Sequence, residues 1–125
     1  MISFFTNRQR LFRFLFWGVI LVLMAVSSIP GAVVNKTLHT NYLGVRLDYL
    51  LHFGAYFVIG VLGGLAYRIN PRLVLLLLVF AAVEEGHQYW IPARTFNPVD
   101  YLFDVLGLVL GLVLVVCLQK VKKRG

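Results

Sequence analysis

The sequence predicts an all-α integral membrane protein, a bundle of four transmembrane helices with both termini in the cytoplasm. Three observations predict it. Of 125 residues, 60% are hydrophobic and only 14% charged, with a mean hydropathy of +0.84, whereas soluble chains run nearer half apolar and a quarter charged. The apolar residues fall into four runs, 11–29, 50–67, 73–91 and 99–118, of 19, 18, 19 and 20 residues. At 1.5 Å per residue each approaches the roughly 20 residues that cross a hydrocarbon core about 30 Å thick, where a helix satisfies its own backbone. Finally, the basic residues collect at the ends of these runs. One domain, 1–125, accounts for the whole chain.

The first run follows Arg8, Arg10 and Arg13 and precedes Ser27 and Ser28, which is also the outline of a secretory signal. Its apolar stretch is longer than a signal core and Ile29-Pro30 is a poor cleavage context, so a retained helix is expected. A long connection, 30–49, leads to the second run; its Asn35-Lys36-Thr37 triplet reads as ordinary loop and His39 as a solvated side chain. The second and third runs join through a tight turn, Arg68-Ile69-Asn70-Pro71-Arg72, and the third and fourth through 92–98, with Asn and Pro as turn formers in both. Trp17, Tyr49, Tyr89 and Trp90, near run ends, read as interfacial anchors.

Twelve Lys and Arg against five Asp and Glu give a net charge of +7. Their placement excludes a nucleic-acid face and fits anchorage to anionic headgroups. Nine basic residues flank one side of the predicted bundle (Arg8, Arg10, Arg13, Arg68, Arg72, Lys120, Lys122, Lys123 and Arg124) and three the other (Lys36, Arg46 and Arg94). The positive-inside rule then puts both termini in the cytoplasm. Cys117 is the one cysteine; with no second thiol, a disulfide, a zinc knuckle and a redox pair are excluded, and a buried structural thiol is expected.

All five acids, Asp48, Glu84, Glu85, Asp100 and Asp104, fall on the other side from the basic ends. Counted from the cytoplasmic ends of their runs, His52, Glu84 and Asp104 lie about 22, 16 and 21 Å deep, so three helices carry polar groups into the outer half of the bilayer. A charge at helix centre costs roughly 2.5–3.5 kcal/mol on insertion scales, and such residues therefore face the bundle interior or a wet cavity. Periodicity agrees: Asp48, His52, Tyr56 and Gly60 recur every four residues, and Asp100, Asp104, Gly107 and Gly111 share a second stripe. Glu84, His87 and Gln88 share a face of the third helix, as do Glu85 and Gln88. The glycines allow close helix approach behind the polar groups. The bland reading is a polar clasp, with Arg94 paired to Asp100 or Glu85; five acids exceed what a clasp with Arg94 and Arg46 needs.

These residues resemble a known family. Asp48-x-x-x-His52-Phe53-x-x-Tyr56, then Glu85-x-x-Gln88-x-x-x-Pro92-x-Arg94, then Asp100-x-x-x-Asp104-x-x-Gly107-x-x-x-Gly111, is similar to the signature of VanZ-like membrane proteins over residues 47–111. The resemblance implies a bacterial plasma-membrane protein, of a family named for a member that lowers sensitivity to teicoplanin, a glycopeptide with a lipid tail. It implies site roles for Asp48, His52, Tyr56, Glu85, Gln88, Arg94 and Asp100. Tyr49 stands where the family usually has Lys, and Asp104 where it usually has Asn; both changes make the pocket more negative.

Three functions compete on these grounds. The first is a site that binds or modifies an amphiphile, such as a phospholipid, a polyprenyl-linked wall precursor or a lipidated antibiotic. There Arg94 holds a phosphate or carboxylate, and Asp48, His52, Glu85 and Asp100 supply acid/base groups, Asp48 orienting the imidazole. Tyr56, Glu84, His87, Gln88 and Asp104 line that site. The second is a divalent metal held by oxygen and imidazole ligands, although no HExxH is present and Glu84-Glu85-x-His87 is too short to be diagnostic. The third is a noncatalytic scaffold or accessory subunit whose polar residues only fix helix packing. A transporter would need a homo-oligomer, since four helices without an inverted repeat leave little room for alternating access. No nucleophilic Ser with a paired base and no nucleotide motif occur, so any reaction would be acid/base or metal-assisted.

Overall fold

The computed structural model describes the backbone of residues 2–94 and 97–125, and the side chains within these from residue 7 onward; residues 95 and 96, in the middle of the expected 92–98 connection, lie outside it. Five helices follow in order, α1 (Ile2–Ser27), α2 (Gly31–Leu38), α3 (Leu47–Ala66), α4 (Pro71–Gln88) and α5 (Pro98–Arg124), with a two-stranded hairpin, β1 (Asn41–Tyr42) and β2 (Val45–Arg46), between α2 and α3. The four long helices match the four apolar runs. Three of them, over Asn7–Ser27, Leu47–Ala66 and Pro98–Arg124, are long and apolar enough to cross a membrane. α4 is an 18-residue helix that also carries Arg72, Glu84 and Glu85.

The local chemistry explains the boundaries. α1 stops at Ser27 and α4 at Gln88, two and three residues before the expected ends; ahead of Pro30 and Pro92 the chain tightens into i→i−3 turns, Ile29 N to Val26 O and Tyr89, Trp90 and Ile91 N to Gly86, His87 and Gln88 O, the usual tightening of a last helical turn. α4 and α5 start on the same device, Asn then Pro. Asn70 Oδ1 accepts from Leu73 N at 3.0 Å and Asn97 Oδ1 accepts from Val99 N at 3.0 Å. Each cap satisfies an orphan amide, and Pro71 and Pro98 occupy first-turn positions that need no donor. α5 runs past 118 to Arg124, where the basic tail complements the negative end of the helix dipole.

The connection expected over 30–49 is structured. α2 fills its first half, and the hairpin then turns through Leu43 and Gly44, both at positive φ (53° and 80°), the pattern of a type I′ turn. α2 is pinned to the 89–94 segment: Gly31 N donates to Pro92 O at 2.8 Å and Asn35 Nδ2 to Ala93 O at 2.9 Å. A Cβ at Gly31 would run into the Ala93 carbonyl, so only glycine allows this approach.

α3 and α5 run parallel in close contact. A Cβ on Gly107 would strike Phe53 O, one on Gly111 would strike Phe57 O, and one on Gly60 would sit 2.5 Å from Leu108 O, so the expected glycine stripes do seat one backbone on the other. α1 is antiparallel to α3, with Phe16 against Gly63 and Arg13 Nε donating to Ala66 O at 3.2 Å. α4 is antiparallel to α3 as well, Leu77 lying beside Gly63 and Glu84 beside Tyr56. The chain ends and the 67–70 turn thus lie at one end of the bundle, and α2, the hairpin and the 89–94 segment at the other. Phe16, Ile20, Tyr56, Ile59, Leu77, Ala81, Leu108 and Leu112 form the core. Phe14, Leu21, Leu76 and Leu110 face outward, an apolar perimeter that suits lipid and not water. Cys117 also faces outward; the buried thiol expected from the sequence is incorrect, because position 117 falls on the face of α5 turned away from α3.

Candidate functional site

At the end of the bundle opposite the termini, α3, α4 and α5 bring their polar stripes together. Glu84, Glu85 and Asp104 are fully buried and Gln88, Asp48 and Asp100 nearly so. From α3, His52 Nδ1 lies 2.7 Å from Asp104 Oδ1 of α5 in a hydrogen bond. The same ring lies 3.6 Å from Glu85 Oε1 and 3.9 Å from Asp100 Oδ2. One turn further along α3, the Tyr56 hydroxyl donates to Glu84 Oε2 at 3.2 Å. Gln88 Nε2 donates to Glu84 Oε1 at 2.9 Å and more weakly to Glu85 Oε1 at 3.4 Å. Glu85 Oε2, Asp104 Oδ2 and Asp100 Oδ1 are buried and accept no hydrogen bond from the described residues.

Of the ten residues singled out in the sequence, the structure brings eight together in one cluster and sets Arg94 at its border, on both adjoining cavities. Asp48, His52, Tyr56, Glu84, Glu85, Gln88, Asp100 and Asp104 converge as the helical periodicity implies. Asp48 does not orient His52, as its place four residues earlier had indicated. It takes a bidentate pair with Arg46, Nε to Oδ1 at 3.1 Å and Nη2 to Oδ2, and Asp104 is the carboxylate on the imidazole. The clasp of Arg94 with Asp100 or Glu85 does not form. Arg94 Nε donates to Ile29 O at 3.0 Å and Nη2 to Val26 O at 3.3 Å, carbonyls at the C-terminal end of α1, where a cation is favoured. His87 is not in the group of carboxylates and imidazole that forms the cluster, and its Nδ1 is buried with no partner among the described residues. The imidazole that stands with the buried carboxylates is that of His52, not His87.

Two cavities meet on this cluster. An apolar groove of about 260 Å³ lies between α1 and α3, walled by Val19, Val22, Leu23, Val26, Leu51 and Ala55 and ending at His52, Glu84 and Gln88. A smaller polar mouth is lined by Asn35, His39, Arg46, Asn97 and Asp100. Leu38, Asp48, His52, Gln88 and Arg94 border both. The groove carries no sequence signal because its walls are ordinary apolar residues of a membrane helix, and the mouth carries none because α2 is too short to stand out from the connection around it. Tyr49 shapes the rim: its ring stacks on Phe103 at 5.1 Å, takes the Arg46 guanidinium on its face at 4.8 Å, and its hydroxyl accepts from Asn97 Nδ2 at 3.2 Å.

Comparison of the chain with protein-family models, with curated proteins and with solved structures finds no match in any of the three.

Proposed function

We propose that the chain is a VanZ-like, multi-pass protein of the bacterial plasma membrane that binds a lipid-like or lipid-linked envelope molecule in the outer half of the bilayer. The observation that carries this reading is the shared border of the two cavities. An apolar groove open to the lipid side of α1 and α3 and a polar mouth at the membrane surface meet at His52, Gln88 and Arg94, which is the division of surface an amphiphile requires. The groove is below the roughly 300–1,000 Å³ of drug-sized pockets, so it takes part of an alkyl chain while the head occupies the mouth. Arg94 keeps its Nη1 without a hydrogen bond among the described residues and borders the mouth, where it meets a phosphate or carboxylate. His52, backed by Asp104, is an acid/base group on the border of groove and mouth, so modification of the ligand is a chemistry the site would support.

The residues of the VanZ-like motif support the family reading by gathering at one place, although Arg94 and Asp48 have partners of their own. Four spans are supported by α3 and α5 running parallel: two parallel helices that both cross require the chain to cross back between them, and α4 is what joins them. Linkage to envelope homeostasis or to teicoplanin tolerance follows from the family reading alone.

The test compares lipids and wall precursors, by mass spectrometry, in cells carrying wild type or Arg94→Gln at equal membrane abundance. We expect one amphiphile to copurify with wild type and to be depleted at least tenfold on the variant. Equal retention of every species by both would overturn the reading. A second reading, a scaffold whose polar groups only hold helices, draws on the fact that His52–Asp104 and Tyr56–Glu84 both bridge helices. It predicts that Glu85→Gln lowers membrane abundance as much as any phenotype.

A further inference from the structure

His52, Glu84, Glu85 and Asp104 each offer one ligand atom, and these atoms all lie within 4.8 Å of one another. The group combines one imidazole with three carboxylates from three helices, in a protein whose perimeter is apolar. Burying such charge uncompensated is very costly. The nearby cations do not compensate it: Arg46 is committed to Asp48 and Arg94 to two carbonyls, and among the described residues the only ion-pair partner of Glu85, Asp100 or Asp104 is His52 itself.

A clasp built for packing would use its acceptors, because each buried unpaired oxygen costs about 1–3 kcal/mol. Among the described residues this one leaves Glu85 Oε2 and Asp104 Oδ2 without a donor, on residues that are fully buried. Around them stand groups that fix the acids without neutralising them. Tyr56 and Gln88 each donate to Glu84, Gln88 also reaches Glu85, and Asp100 lies beside the imidazole. Such outer partners are what a metal site uses to orient its ligands.

We propose that His52, Glu84, Glu85 and Asp104 form a site for one divalent transition-metal ion of the zinc–manganese class. The mixed nitrogen and oxygen donors select that class, since magnesium and calcium sites use oxygen ligands throughout. Donors around a tetrahedral ion at about 2.0–2.2 Å stand roughly 3.3–3.6 Å apart, within reach of small side-chain rotations from the present spacing. The inference rests on this cluster and not on the amphiphile reading.

The test uses the full chain, purified in detergent without a histidine tag, dialysed against metal-free buffer and titrated with Zn²⁺ and Mn²⁺, with bound metal measured by mass spectrometry. One ion per chain is expected for wild type and for Cys117→Ala, which removes the lone thiol as a source of adventitious binding. His52→Gln and Glu85→Gln should each weaken binding by more than about 100-fold, beyond the roughly 10–100-fold that losing an outer partner costs; Asp100→Asn should fall within that smaller range. Because the variants can fail to fold, wild type loaded with Co²⁺ supplies a measurement free of them, a visible absorption band displaced by Zn²⁺. Clearly substoichiometric uptake, a missing Co²⁺ band, or equal binding by wild type and a folded His52→Gln would overturn the site. Metal uptake without lipid retention, or the reverse, separates this proposal from the preceding one.

Discussion

Glu84 shows what a single buried side chain does in this fold. Both its oxygens accept hydrogen bonds, from Tyr56 on α3 and from Gln88 one turn along its own helix, so it ties α4 to α3 at a level where the two backbones make little direct contact. Tyr56→Phe removes one donor and little volume. Since single interhelical hydrogen bonds in membrane proteins average about 0.6 kcal/mol and reach about 1.7, the variant should lose between those values in reversible unfolding from mixed micelles. An unchanged unfolding midpoint would show that the Tyr56–Glu84 bond contributes nothing. The sequence makes the buried face readable at this scale, because four-residue spacing puts Asp48, His52 and Tyr56 on one stripe whatever surrounds them. Pairing is another matter. Asp48 goes to Arg46 and Arg94 to the end of α1 because the hairpin and the 89–94 turn bring those groups close, and no helical period encodes a turn's path.

Between α3 and α5 the decisive element is the glycine seam. Gly107 faces Phe53 O so closely that a methyl group cannot fit against the backbone, and this contact sets the separation across which His52 reaches Asp104. Gly107→Ala should therefore push the helices apart and destabilise the protein by about 1–3 kcal/mol, the usual cost of overpacking. Gly54→Ala and Gly86→Ala are the matched controls. Both lie inside helices with nothing within 4 Å of an added Cβ, and there alanine should be neutral or stabilising by up to about 1 kcal/mol. Thermal unfolding of the three variants side by side checks this, and a Gly107→Ala protein as stable as Gly54→Ala would dissolve the seam. The long helices were legible because each apolar run exceeds anything a loop would carry. α2 was not, since eight residues fill only about two turns and its helical form depends on Gly31 and Asn35 docking on the 92–93 backbone.

For the molecule as a whole, parity decides how often the chain crosses the bilayer. If α3, α4 and α5 all cross, Leu43 at the hairpin tip and Gly125 lie on opposite sides; if α4 does not, the two crossings between them return the chain to the same side. Three considerations favour the first. α3 and α5 are parallel neighbours, which obliges a return path. The acids of α4, Glu84 and Glu85, are fully buried and so do not meet lipid. The end that holds both termini and the 67–70 turn carries nine basic residues against three at the other, and on the proposed topology the positive-inside rule would put that end in the cytoplasm. Leu43 is completely exposed and Gly125 exposed as well, so each accepts a reporter without disturbing the core. In a Cys117→Ala background, Leu43→Cys should react with a membrane-impermeant maleimide on intact cells, and Gly125→Cys only after the cells are opened. Labelling of both from outside, or of neither, would mean that α4 does not cross. Labelling of Gly125→Cys alone would preserve the four spans but invert them, and the polar mouth would then face the cytoplasm, out of reach of any ligand arriving from the envelope.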